Sequence, residues 1–143
     1  MLYKKCNIKG FLSFSSVPWG SYFDHAVAWN KHIDEENVMV ITYEDQTEDL
    51  ARGIQKIAEF FGFTLNEKQI QHIVNRATFE AMKARSPETH VDLAQAHFRK
   101  GVVGDWKNYF TEAQNREMDA KFEEFLAGTK LGKQLKYDVY CKT

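Results

Sequence analysis

The sequence predicts an α/β fold, mostly helical with one or a few parallel strands, and reads as a portion of such a fold. Three observations predict this. Val38-Met39-Val40-Ile41-Thr42-Tyr43 is a short, β-branched, apolar run with acids on both sides, the composition of a buried parallel strand. Around it lie about five segments whose apolar residues recur at helical spacing. A lone strand cannot satisfy its own backbone donors and acceptors, so one strand among several helices belongs to a larger sheet. The alternative is that 38–43 is a buried extended segment in a helical domain.

In chain order, Val17 to Gly20 reads as a turn, and Phe23, Ala26, Val27 and Trp29-Asn30 as an amphipathic helix ending near Ile33. After the strand, Thr47 is placed to cap a helix, with Glu48 and Asp49 near its positive end. Leu50, Ile54, Ile57, Ala58 and Phe61 carry that helix to a stop at Gly62. Thr64 with Glu67 spells a capping box for a helix through Ile70, Ile73 and Val74. Thr78 starts a short helix through Met82. Residues 86–110, with Pro87 and two glycines, read as largely loop. Thr111 with Gln114 forms another capping box, for a helix through Met118, Phe122 and Phe125 to Gly128.

Composition narrows the class of partner. The 143 residues are 43% hydrophobic and 27% charged, a globular balance with enough chain for one core. Nineteen basic residues face twenty acidic ones, so no overall positive field draws in nucleic acid or an anionic membrane. An anionic ligand must therefore be held by a local cluster. Cys6 and Cys141 have no Cys or His at metal-ligand spacing, and no metal is expected. No run approaches the roughly 20 apolar residues of a membrane span. A soluble, cytoplasmic protein is the expectation.

The densest chemical segment is Arg99-Lys100-Gly101-Val102-Val103-Gly104-Asp105-Trp106-Lys107-Asn108. Two adjacent cations precede a glycine in a loop. Arginine offers a planar fork for phosphate oxygens, lysine a point charge, and glycine lets a ligand approach the backbone. Those are the parts of an anion clamp, although Arg-Lys-Gly is also a common solvated turn.

The longer pattern RKGVVGDWKNYFT closely resembles a motif of the cytosolic sulfotransferases, and VPWGSYFDH, ITYEDQTED, IQKIAEFFGF and TFEAMKA follow that family's order and spacing. The resemblance covers about residues 17–140, leaving 1–16 as an atypical N-terminal segment and 17–143 as a partial sulfotransferase domain. The Trp29-Asn30 region and the ending LAGTKLGKQLKYDVYC are most similar to family 6, subfamily B. The resemblance implies the C-terminal portion of a P-loop-like sulfotransferase domain. It implies transfer of a sulfuryl group from 3′-phosphoadenosine 5′-phosphosulfate, as co-substrate, to a hydroxyl or amine of a small-molecule acceptor. It assigns Arg99, Lys100 and Gly101 to the donor's 3′-phosphate. Tyr43 goes to the adenosine portion, and Thr78, Phe79 and Met82 to the adenine wall. Val17, His97 and Phe98 go to the acceptor pocket. Asp105 is expected to order the loop by hydrogen bonds, and Trp106 to bury its ring.

The resemblance also shows what the chain lacks. The family's 5′-phosphosulfate loop has no counterpart: Pro18 is followed by Trp19-Gly20, and Pro87 by Glu88-Thr89. None of His25, His32, His72, His90 and His97 stands in the context of the family's general base, so no catalytic residue is assigned. Many relatives dimerise through a motif spaced Lys-x-x-x-Thr-Val-x-x-x-Glu. Lys107 and Thr111 fit it, but Glu112 stands in place of Val and Arg116 in place of Glu. A charge at an apolar contact is costly, which argues against that dimer. Two functions follow: a sulfotransferase represented by an incomplete, inactive portion, or a non-catalytic nucleotide-binding or interaction module.

Overall fold

The computed structural model describes residues 20–89, 98 and 100–142. The described parts of Met1–Val40 and Gly104–Thr143 form one compact unit, and those of Ile41–Val103 a second.

In the first unit, helix α1 (Tyr22–Asn30) starts where Ser21 Oγ accepts the Phe23 amide at 3.1 Å. It ends three residues before the Ile33 that the periodicity suggested. Helix α6 (Glu112–Phe125) opens on the expected capping box: Thr111 N–H donates to Gln114 Oε1 at 2.9 Å, and Thr111 Oγ1 accepts the Gln114 amide at 3.3 Å. Two short helices follow, α7 (Lys130–Gln134) and α8 (Tyr137–Tyr140). Helices α6 and α7 both pack against α1.

Phe23, Ala26, Phe122, Leu126 and Tyr137 form the core of this unit, and Leu126 is fully buried. The Phe122 and Tyr137 rings stack, with centroids 3.7 Å apart and planes 9° apart. The Tyr137 hydroxyl donates to Asp119 Oδ1 at 2.9 Å. Burial, then that hydrogen bond, pushes the hydroxyl's pKa well above the ordinary tyrosine range. Gly132 sits so close to the core that a Cβ there would lie 1.9 Å from the Leu126 carbonyl oxygen. Asn30 Oδ1 accepts the Leu131 amide at 2.9 Å, joining the end of α1 to the start of α7, and Lys130 pairs with Asp34.

The second unit is a run of helices: α2 (Tyr43–Glu48), α3 (Leu50–Phe60), α4 (Glu67–Ala77) and α5 (Phe79–Thr89). Each packs on the next. Gly62 stops α3 as expected. At φ +76° its amide donates to Glu59 O at 3.0 Å and the Phe63 amide to Ala58 O at 2.8 Å, which is the Schellman pattern.

Four expectations are corrected. The strand at 38–43 is not formed as a ladder among the described residues: Thr42 is extended, but Tyr43 already begins α2, and Ile41 and Tyr43 are 40% and 55% exposed. A strand is held by a neighbour's hydrogen bonds, and without one Thr42 caps a helix instead, its Oγ1 accepting the Asp45 amide at 3.1 Å. Thr47 is not the cap of α3. It lies inside α2, its hydroxyl bonded to the Tyr43 carbonyl, and Asp49 Oδ1 accepts the Arg52 amide at 2.9 Å. The capping box of α4 is Asn66 with Gln69, not Thr64 with Glu67. Asparagine is an N-cap at least as good as threonine, and the box two residues later is the one that forms.

The fourth correction concerns α5, which runs through Pro87 to Thr89 where loop was expected. Proline has no N–H to give the carbonyl four residues back. Ser86 compensates: its hydroxyl donates to the Lys83 carbonyl at 2.7 Å. Within the expected loop, Asp105–Asn108 forms a turn of 3₁₀ helix. Asp105 Oδ1 accepts the Asn108 side-chain amide at 2.9 Å, as its expected ordering role requires. Trp106 is half-buried, and its indole N–H donates to the Tyr140 carbonyl at 3.1 Å.

Candidate functional site

The described candidate residues of the nucleotide site all fall in the second unit, and the structure brings two of them, Phe79 and Gly101, together, with Phe98 of the expected acceptor pocket beside Phe79. Thr78 links α4 to α5. Its backbone is extended (φ −62°, ψ 151°), and its Oγ1 accepts the Ala81 amide at 3.2 Å, so it caps α5. That cap places Phe79 at the first helical position, half-buried. Phe98 lies beside it, ring centroids 5.7 Å apart and planes inclined by 58°.

Gly101 covers the ring. Its φ is +65°, and a Cβ built on it would fall 2.3 Å from Phe79 Cδ2, 2.4 Å from Cγ and 2.7 Å from Cε2. Three near-equal distances to consecutive ring atoms place the glycine over the face of the ring. Glycine is therefore required there twice, for the left-handed backbone and for the approach. Lys100, immediately before it, is exposed. Met82, one turn along α5 from Phe79, is 41% exposed. Tyr43 stands at the start of α2, also outward. Val17, His97 and Arg99 lie outside the described residues.

Sequence reasoning missed Lys83, whose Nζ lies over the Phe79 ring at 5.8 Å from its centroid. The signal was present, since Lys83 follows Phe79 by four residues and on a helix that spacing makes neighbours. Ser86 was missed for a different reason: its role depends on α5 continuing through Pro87. A shallow depression of about 360 Å³ on α4 is lined by Leu65, Asn66, Lys68, Gln69, His72 and Ile73 and shares no residue with the Phe79 cluster. Among the described residues no group of three or more His, Cys, Asp or Glu could hold a metal ion, and no helix is long and apolar enough to cross a membrane.

Chemically, the Phe79 cluster presents an aromatic surface, a glycine backbone and the Lys83 ammonium at one place. A planar base and an anion are the ligand parts such an arrangement can hold.

Comparison with known proteins bears on what that ligand is. The sulfotransferase domain family matches residues 5–130. Sulfotransferase 6B1 of Pan troglodytes is 59% identical over 126 residues, and that of Mus musculus 58% over 125. The matches cover 88% and 87% of this chain but 42% and 41% of those proteins, so the chain spans about two fifths of their length. Among solved structures, mouse sulfotransferase SULT7A1 complexed with PAP superposes with a TM-score of 0.77 at 36% identity, covering 92% of this chain and 50% of that one. The fold is thus that of a partial sulfotransferase domain, helical throughout its described secondary structure.

Proposed function

This chain belongs to the sulfotransferase domain family, with sulfotransferases 6B1 among its relatives, and from that premise we propose that it carries the nucleotide-binding portion of a sulfotransferase. The ligand is 3′-phosphoadenosine 5′-phosphosulfate or its product, adenosine 3′,5′-bisphosphate. The observation that carries this reading is the contact of Gly101 with Phe79. It joins the segment expected to hold the 3′-phosphate to the segment expected to hold the adenine, although all of α5 lies between them in sequence. The residues fit the group: a base needs an aromatic face, and a phosphate needs backbone approach and cations.

In this reading Phe79 and Met82 bound the adenine, Thr78 sets the start of α5 that presents them, and Tyr43 contacts the adenosine. Arg99 and Lys100 hold the 3′-phosphate while Gly101 lets it approach the chain. Val17, His97 and Phe98 border the acceptor, a small molecule with a hydroxyl or amine. The donor, when bound, supplies the sulfuryl group. These residues bind and orient it, and none is assigned to move the acceptor's proton. The chain alone is accordingly expected to bind nucleotide without turnover, in the cytoplasm. Detectable sulfate transfer from labelled donor by the purified chain would overturn the second half of that statement.

A non-catalytic binding or interaction module is the second reading, favoured by the lack of a histidine in the context of the general base. The family dimer is not expected in either. Glu112 and Arg116, which depart from its motif, face each other along α6 at 3.7 Å, 94% and 74% exposed. An exposed pair of this kind contributes little, but Glu112 keeps a charge where the motif has an apolar valine, and Arg116 reverses the charge of the motif's glutamate.

The test is titration calorimetry of the chain with adenosine 3′,5′-bisphosphate. Saturable binding that is lost in Arg99→Ala is expected. Soluble, folded protein with no binding, or binding indifferent to Arg99→Ala, would reject the nucleotide reading.

A further inference from the structure

We propose that Lys83 is a further nucleotide-binding residue, whose ammonium leaves the Phe79 ring to pair with phosphate oxygens when the nucleotide arrives. The inference rests on the nucleotide reading above and adds a cation to it. Lys83 is exposed, and among the described residues its ammonium has no carboxylate partner; it lies over the Phe79 ring, 5.8 Å from the centroid. A cation on a half-buried aromatic face at this distance is weakly held. Hydrogen bonds between an ammonium and anionic oxygens are stronger, so a phosphate nearby would win the exchange.

The placement brings such a phosphate near. Gly101 occupies one face of Phe79, and Lys100 is its chain neighbour, so the expected phosphate clamp and Lys83 converge on the same ring. A base stacking on the remaining surface of Phe79 carries its own phosphates toward this group of cations. Withdrawal of the ammonium also uncovers aromatic surface for the base. Binding of the anion and binding of the base are thereby coupled.

The backbone beneath Lys83 stays helical despite the proline. The Lys83 carbonyl, which Pro87 cannot serve, accepts from Ser86 Oγ at 2.7 Å, and Ser86 is only 4% exposed. The side chain can exchange partners while the turn that carries it stays in place.

The test is titration of the full chain with adenosine 3′,5′-bisphosphate at several salt concentrations, comparing wild type, Lys83→Met and Lys83→Arg. Methionine keeps the length and the apolar stem. Lys83→Met is expected to weaken binding about tenfold at low salt and to make its salt dependence shallower, because one ion-pairing group is gone. Lys83→Arg is expected to retain both affinity and salt dependence. Unchanged affinity in Lys83→Met, or a loss equal at every salt concentration, would overturn the proposal, the latter showing a role in packing alone. If wild type itself fails to bind, or binds indifferently to Arg99→Ala, the nucleotide reading falls and this proposal with it. Binding lost in Arg99→Ala but untouched in Lys83→Met rejects the role of Lys83 alone.

Discussion

In the first unit Phe23, Phe122, Leu126 and Tyr137 close on one another, whereas in the second Tyr43, Phe61, Phe63 and Met82 face outward, each at least 41% exposed. The two units draw on similar residue types, so the difference lies in topology. In the first, α1 meets α6 and α7 from far along the chain, and these distant helices enclose a centre. In the second, each helix packs on its successor, and only a narrow strip, Ile54 and Ala58 with Gly53, is buried in α3. A chain of consecutive contacts buries one seam and leaves the other faces open. The candidate ligand residues belong to this open unit.

The comparison can be broken most directly by truncating one side chain in each unit. Leu126→Ala is expected to cost roughly 3 kcal/mol, because it removes a fully buried side chain. Phe61→Ser, at 66% exposed, is expected to change stability by less than about 0.5 kcal/mol. Urea unfolding separates them, with far-UV circular dichroism as the readout for both. Tryptophan emission adds a local probe, since Trp29 and Trp106 lie in the first unit and the second has no tryptophan. Equal effects from the two substitutions would show that the second unit buries Phe61 after all.

Gly101→Ala sharpens the contrast between stability and binding. The added methyl meets the Phe79 ring and a positive φ, so a cost of about 1–3 kcal/mol should fall on the ligand site. Bisphosphate affinity is expected to drop about tenfold or more, while the tryptophan-detected transition stays where it was. A variant binding at wild-type affinity would mean that the contact with Phe79 does not shape the site.

Asp49→Ala should cost about 1 kcal/mol by removing the cap of α3, and Thr47→Ala less than half of that. The reverse order would restore the cap that the sequence first suggested.

The smallest effect concerns the first unit alone. The Tyr137 hydroxyl has its pKa raised in the folded state, so above pH 10 the unfolded chain ionises while the folded one keeps its proton. The unfolded state then binds fewer protons, and stability falls as pH rises, by about 0.4 kcal/mol at pH 10 and more beyond. Thermal melts between pH 8 and 11 should show a shallower decline in Tyr137→Phe than in wild type. Identical slopes would exclude Tyr137 as the titrating group.

Much of the local structure was legible in the residues. The Thr111–Gln114 box, the stop at Gly62 and the loop bond of Asp105 depend on near neighbours, and each forms. The family motifs were legible too, as strings in order. Where local signals competed, the reading missed: Asn66 outdid Thr64, and Asp49 outdid Thr47. Pro87 was read as a breaker because the compensating Ser86 bond exists only if the helix is already there.

What the sequence determined by itself is the family, the helices with uncontested caps, and the residue types of an anion clamp, since all of these reside in local order and spacing. Only the tertiary structure decided that Gly101 lies on the face of Phe79, that Lys83 rests on the same ring, and that 38–43 forms no ladder among the described residues. Each of those depends on what a segment meets in space. A backbone hydrogen bond, a ring face or a buried methyl gains its free energy from a partner, and neither composition nor periodicity names the partner.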